Sequence, residues 1–311
     1  MILKRNFNVL KVLQYNAEGL LISGLVSGGV YALHHFNAID LALPFSIAAI
    51  LGSALAIFIA FRNNTAYTRW WEARTIWGGI VNNSRIFARQ LIANADNAVA
   101  IGKATPEKVI DFKQEMVLRQ IAFAHALRLH LRRQTTYNEF RHLLPTAEFE
   151  QVTRAGNVPN MLLHQQGIRL KEAIREEILG AFDNISMEPN LASFSNWQGG
   201  CERIKNTPLL RHYHYFTKLF LYAFMLVLPF CLITDLTRIG VAYMLIPVCV
   251  VVSFVFAVIG RVGEVNEDPF ENQITDVPLT TLCNTIERDL KEQLGETNLP
   301  DKLKPTNGYL F

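Results

Sequence analysis

The chain has 311 residues, of which 50% are hydrophobic and 18% charged, with a formal net charge of +3. Soluble domains carry about 25% charged residues, so the low value here, with the apolar residues gathered in runs, points to membrane spans rather than one ordinary core. A charge this mild, with the basic residues spread along the chain and no basic run interleaved with aromatics, speaks against a nucleic-acid partner. Cys201, Cys231, Cys249 and Cys283 form no CxxC pair, and two of them lie inside apolar stretches. A metal cluster or disulfide framework is thus not expected, and the four read as small buried hydrophobes.

The N-terminal stretch MILKRNFNVLKVLQYNAEG does not read as a signal peptide: the first long apolar run starts only near Gly19 and lacks a plausible cleavage site. That run, Gly19 to Phe36, has no Asp, Glu, Lys or Arg. At ~1.5 Å per residue it just crosses a hydrocarbon layer of ~30 Å. Ser23 and Ser27, with Gly24 and Gly28, make two overlapping small-xxx-small pairs, which let helices approach closely in lipid. The second run, Pro44 to Phe61, is also free of charge before Arg62, and Pro44 suits a helix start. The connection NAIDLAL is short, which predicts an antiparallel hairpin.

The middle of the chain, from Arg62 to about Arg211, is polar with helical periodicity. In KVIDFKQEMVLRQIAFAHALRLHLRRQ the apolar set includes Val109, Phe112, Met116, Ile121, Ala124 and Leu127. GIRLKEAIREEILGAF repeats the pattern through Ile168, Ala173, Ile174 and Ile178. Arg128, Arg132 and Glu176 are expected on solvated or inter-subunit faces. The third apolar run covers Tyr215 to Thr234, with Lys218 placed to snorkel. The fourth covers Val241 to Gly260. Pro229 and Pro247 fall inside these runs and are tolerated where neighbouring helices satisfy the freed carbonyls. A last helix is expected over TTLCNTIERDLKEQL. No repeat of 20–50 residues stands out.

Lys4, Arg5, Lys11, Arg62, Arg69, Arg203, Lys205, Arg211 and Arg261 fall on one side of the four runs, and only Arg238 lies in the connections on the other. The positive-inside rule then puts both termini and the long middle region in the cytoplasm. Catalytic signatures are missing: there is no HExxH, GxSxG, P-loop or GxGxxG. His34 and His35 are adjacent and point apart on a helix, and His125 and His130 are five apart, not i, i+4. A non-enzymatic protein without a cofactor or bound metal is expected.

Ser53, Ile57 and Phe61 recur at i, i+4, i+8 and form one stripe about 12 Å long. Such a stripe lines a constriction that gates by dewetting if several copies surround an axis; otherwise it packs on another helix or faces lipid.

Three motifs go further: FRNNTAYTRWWEARTIWGGIVNNSRIFARQ after the second run, GGCERIKNTPLL before the third and NEDPFENQITDVPL after the fourth. Their sequence, order and positions resemble the bestrophin family, and more closely its bacterial members, over essentially the whole chain. The resemblance implies an all-α membrane protein with four transmembrane helices per subunit and a large helical cytosolic domain, assembled with itself as a homopentamer around one pore. The implied division is 1–61, an N-terminal helix and the first hairpin; 62–211, the cytosolic helices; 212–263, the second hairpin; and 264–311, a cytosolic tail.

It also implies a hydrophobic neck at Ser53, Ile57 and Phe61, where Ser53 replaces a larger apolar residue and makes a wider, wetter ring. Ile185 in GAFDNISMEPNL is the candidate for a second, cytosolic ring. Animal members bind calcium after the fourth span. Here Asp268, Glu271 and Asp276 remain without a run of acids, so the five to seven oxygen ligands of a calcium clasp are incomplete. In TRWWEAR, Trp70 and Trp71 suit the interface and hold the neck helix, and Arg69 and Glu72 are placed to pair within a turn. Thr207 and Pro208 end a helix before the third span, and Glu202 is placed to link subunits. The expected function is an ion channel of the inner (plasma) membrane for small monovalent ions, with closeness to the bacterial subgroup pointing to cations and an anion channel as the alternative. Glu267 and Asp268 would enrich cations at a vestibule. A transporter needs midplane charges and inverted repeats that are not visible, and a membrane scaffold would carry no flux.

Overall fold

The computed structural model describes residues 1–4, 6–36 and 42–311. Arg5 and residues 37–41 of the NAIDLAL connection lie outside the described residues. In chain order the helices are α1 (Val9–Tyr15), α2 (Ala17–His35), α3 (Phe45–Ala100), α4 (Pro106–Leu131), α5 (Thr146–Thr153), α6 (Val158–Arg175), α7 (Asp183–Asn206), α8 (Arg211–Arg238), α9 (Leu245–Val265) and α10 (Leu279–Gln293). Among the described residues the extended structure is limited to isolated bridges, Ile2 with Tyr309 and Thr306 with Tyr309. The chain divides into two compact units, one of residues 4–69 and 208–268 and the other of 1–3, 70–207 and 269–311.

The first unit holds the apolar helices. Stretches long and apolar enough to cross a membrane lie in Phe45–Ala100, in Asp183–Arg238, which takes in α7 and α8, and in Ala242–Val265. α2 is helical over 19 residues where the first span is expected, but Glu18 near one end and His34 and His35 at the other dilute its apolar run, and it does not reach the same standard. The small residues of α2 meet α9: the hydroxyls of Ser23 and Ser253 are 2.9 Å apart, and a Cβ on Gly24 or Gly28 would just touch Val250 or Ile246. His34 Nε2 lies 3.1 Å from the hydroxyl of Thr237, while His35 stacks on Tyr31, so the adjacent histidines do diverge. Val30, Leu55, Ile59, Phe224, Leu228, Leu245 and Cys249 form the core of this unit. Pro229 sits inside α8 without ending it, and Gly240, at φ +77°, takes the left-handed turn after that helix.

The second unit is a bundle around Trp77, Phe87, Phe112, Phe123, Phe140 and Phe194, all fully buried. The apolar residues expected to face inward on α4 are buried, Val109 through Leu127. A polar chain threads this core: Gln166 donates to Gln120 (3.0 Å), which donates to Ser84 (2.8 Å). Each amide of this chain is tied in by at least one hydrogen bond, although Gln166 Oε1 finds no partner among the described residues.

Several expectations are corrected here. Ile168 is exposed: the buried face of α6 runs through Leu162, Gln166, Leu170 and Ala173, one helical step away. α6 stops at Arg175, and Glu177 has φ +60°, so the helical pattern read as far as Ile178 is broken before that residue. Arg128 is 2% exposed and pairs with Glu139, and Arg132 donates to Thr280 (2.9 Å). These arginines are interior connectors, unlike Glu176, which is exposed and pairs with Arg169. All four cysteines are buried and free; burial pushes the Cys283 thiol up to about 12 and keeps it unreactive.

Candidate pore-lining helix face

α3 continues without a break through FRNNTAYTRWWEAR, so the neck stripe and the motif after it lie on one helix. On the first unit's part of α3, Leu55, Ile59, Arg62 and Ala66 are buried, a seam at i, i+4, i+7 and i+11 that packs inward. Phe58 lies against Tyr213 and Phe220 of α8. The opposite side carries Ile50, Ser53, Ile57 and Phe61, all exposed, with Ile57 at 58% and Phe61 at 65%. Asn64, Thr65 and Thr68 continue that exposed side. Ser53, Ile57 and Phe61 therefore lie on one face, as their spacing requires.

Two details set the character of this face. First, the hydroxyl of Ser53 donates to the carbonyl of Ala49 (2.8 Å), that of Thr65 to Phe61 (2.9 Å) and that of Thr68 to Asn64 (2.9 Å). Their protons are spent on the helix itself, so the face offers methyl groups and acceptors but few donors. Second, the only charged residue from Phe45 to Thr68 is Arg62, and it is turned to the buried seam at 4% exposure.

Arg62 fastens this helix. Its Nη2 donates to His214 Nδ1 (2.9 Å), which leaves the ring proton on Nε2, and to the carboxylate of Glu267 (3.2 Å). Asn63 donates to the carbonyl of Ile259 (2.8 Å), where Gly263 lets α3 and α9 close: a Cβ there would sit 2.2 Å from Asn63 Oδ1. Arg69 donates to the carbonyl of Glu267 (2.8 Å) and lies 3.6 Å from Asp268. Arg69 thus has partners other than Glu72, which pairs in the second unit with Arg203, and Glu267 is a brace rather than a free vestibule charge. The clamp was readable in part: Arg62 falls on the periodic seam of Leu55 and Ile59, although nothing local names His214 or Glu267.

In the second unit, Trp70 donates to the carbonyl of Thr275 (3.0 Å), in keeping with a holding role. Trp71 is exposed. Glu202 accepts from Asn157 and Gln198 (both 2.8 Å), partners within the same chain, and Thr207 caps the end of α7. Glu271 pairs with Lys205. Asp276 accepts from the backbone of Gln273 (3.0 Å), and burial pushes its carboxyl up to about 6. No group of three or more metal-ligating side chains occurs among the described residues. Ile185, 70% exposed, and Phe182, 80% exposed, stand at the start of α7.

An all-helical protein with apolar spans, and one span whose unpartnered face is apolar and uncharged, has the make-up of a membrane channel subunit. Residues 8–292 match the family described as Bacterial/Fungal Bestrophin protein, and the chain belongs to that family. It is 33% identical over 271 residues to the Voltage-dependent anion channel-forming protein YneE of Escherichia coli K12, covering 86% of this chain and 84% of that one. The similarly named RSc3414 of Ralstonia nicotianae is 31% identical over 87% of this chain and 84% of its own length. Crystal structures of a bacterial bestrophin homologue from Klebsiella pneumoniae superpose with TM-scores of 0.80 and 0.81 at 28% and 29% identity, each covering 92% of this chain and 100% and 98% of theirs. The chain is an ion channel protein of the membrane and not an enzyme.

Proposed function

We propose that copies of this chain, five by resemblance to the family, surround an axial pore lined by the exposed face of α3. Ser53, Ile57 and Phe61 form its neck, and Ile185 lines a cytosolic ring. Each subunit crosses the inner membrane four times, through α2, the start of α3, α8 and α9, with both termini in the cytoplasm. The observation that carries this reading is the exposed α3 face itself: apolar from Ile50 to Phe61, polar at Asn64, Thr65 and Thr68, with the only charge of the segment buried behind it. A narrow apolar ring excludes ions when dry and passes them when wet, so it sets conductance and gating rather than the sign of the ion.

The pore passes small monovalent ions. The relatives' name, anion channel-forming, supports anions, whereas the acceptor-rich hydroxyls of the α3 face are the observation that suits cations. The test is the reversal potential of purified protein in a planar bilayer under a NaCl gradient. Reversal near the chloride potential is expected; reversal near the sodium potential replaces the anion reading with a cation channel. Reproducible silence from an inserted oligomer leaves the scaffold reading.

A further inference from the structure

At one end of the first unit a cavity of about 140 Å³ opens between α2, α3, α8 and α9. Its lining combines apolar Leu221, Ala257 and Gly260 with cationic Arg62, Lys218 and Arg261. It lies where the apolar runs of α8 and α9 give way to charge, the level at which lipid headgroups meet protein.

Its charges are unequally paired. Arg62 is buried and bound through Nη2, yet its buried Nε finds no acceptor among the described residues. A buried guanidinium N–H left unpaired is costly, and Glu267 is the carboxylate that offsets the Arg62 charge. Lys218 makes no salt bridge among the described residues and lies 5.7 Å over the Tyr222 ring. Glu18, which also lines the cavity, accepts from the Tyr222 hydroxyl (3.0 Å). Arg261 pairs with Glu264 at 3.2 Å, but Arg261 is exposed, Glu264 is half-buried and the two are three residues apart on one helix, an arrangement that holds weakly. With Glu267 holding Arg62 from behind, the cations loosely held at the cavity are Lys218 and Arg261, beside the apolar Leu221 and Ala257.

We propose that this cavity holds the phosphate of an anionic phospholipid, with Lys218 and Arg261 donating to its oxygens and an acyl chain along Leu221 and Ala257. Basic pockets between spans bind anionic headgroups in this way. A free phosphate shares the oxygen chemistry but has nothing to place on the apolar wall. Because Arg62 adjoins Phe61, the lipid joins the clamp behind the neck. The inference rests on the membrane placement of the chain and not on conduction, so a silent protein still tests it.

The experiment is native mass spectrometry of the purified oligomer titrated with phosphatidylglycerol, phosphatidylcholine or inorganic phosphate. Phosphatidylglycerol is expected to be retained and the other two not. Lys218→Ala should lower its retention roughly fivefold, and Lys218→Ala with Arg261→Ala roughly thirtyfold, at the strength of one surface cation each. Arg238→Ala, which removes a cation outside the cavity, should leave retention unchanged, and unchanged oligomer mass reports that each variant is folded. Equal retention of phosphatidylcholine, an equal mass gain with phosphate alone, or undiminished retention in the folded double variant would each overturn the assignment.

Discussion

Phe61 and Ile57 expose more than half their surface in the isolated chain, which is costly for large apolar side chains unless lipid or other copies meet them. If they ring a pore, Phe61→Ala removes the bulk of the constriction, and single-channel conductance should rise. An unchanged single-channel current would sink the lining assignment, and Ile57→Ala is an independent check. Two carboxyls of the second unit give opposite pH dependences. Glu287 is held by His125 (3.3 Å) and Lys291 (2.9 Å), and the His125 hydrogen bond leads in lowering it from 4.5 to about 2. Its contribution is present above about 4.5 and is lost as pH falls towards 2. Burial raises Asp276 from 3.8 to about 6, so its contribution is present below 3.8 and is lost as pH rises through 6. Tm should therefore fall between about pH 4.5, where the Glu287 contribution is complete, and about pH 6, and Asp276→Asn, which cannot ionise, should flatten that fall. Equal slopes for the two proteins would refute the role of Asp276.

At the scale of the helix, α3 and α9 pack tightly at Gly263, where Asn63 occupies the space of a side chain. Gly263→Ala forces Asn63 aside and breaks its bond to Ile259. Overpacking and a lost hydrogen bond outweigh the better helix propensity of alanine, for a net loss of about 1 kcal/mol. Gly260→Ala, whose Cβ would meet Ile59 at 4.0 Å, should be neutral or stabilising. Combining Gly263→Ala with Asn63→Ala should cost less than the sum of the single changes; strict additivity in thermal unfolding would rule out the close approach as the cause. Packing by small residues was legible in the sequence because lipid provides no hydrophobic drive to bring helices together. Which helix met them, α9, was not.

For the whole molecule, the open faces call for assembly. Besides α3, exposed apolar residues stand on α2 at Leu21 and Leu25 and on α9 at Val251 and Val255, and lipid suffices to cover those. An uncharged stripe that continues into polar residues beyond Phe61 suits a water-filled axis better than lipid. Native mass spectrometry of the purified channel should give a mass five times that of the 35.2 kDa chain; a monomer that still conducts would overturn the axial pore.

Local pattern determined much of this protein by itself. Four apolar runs announced α2, the start of α3, α8 and α9, and 3.6-residue periodicity named the buried side of α4 and the open stripe of α3, because both follow from residues a few positions apart. Three motifs named the family. The tertiary structure alone decided what the charges do. Arg62 meets Glu267 across 205 positions, Arg128 pairs with Glu139, and Arg69 reaches Glu267 rather than the expected Glu72. Periodicity tells which way a side chain faces on its own helix, but a partner hundreds of residues away is chosen only when helices pack and bury both groups. Burial is what makes pairing obligatory, and it has no local signature.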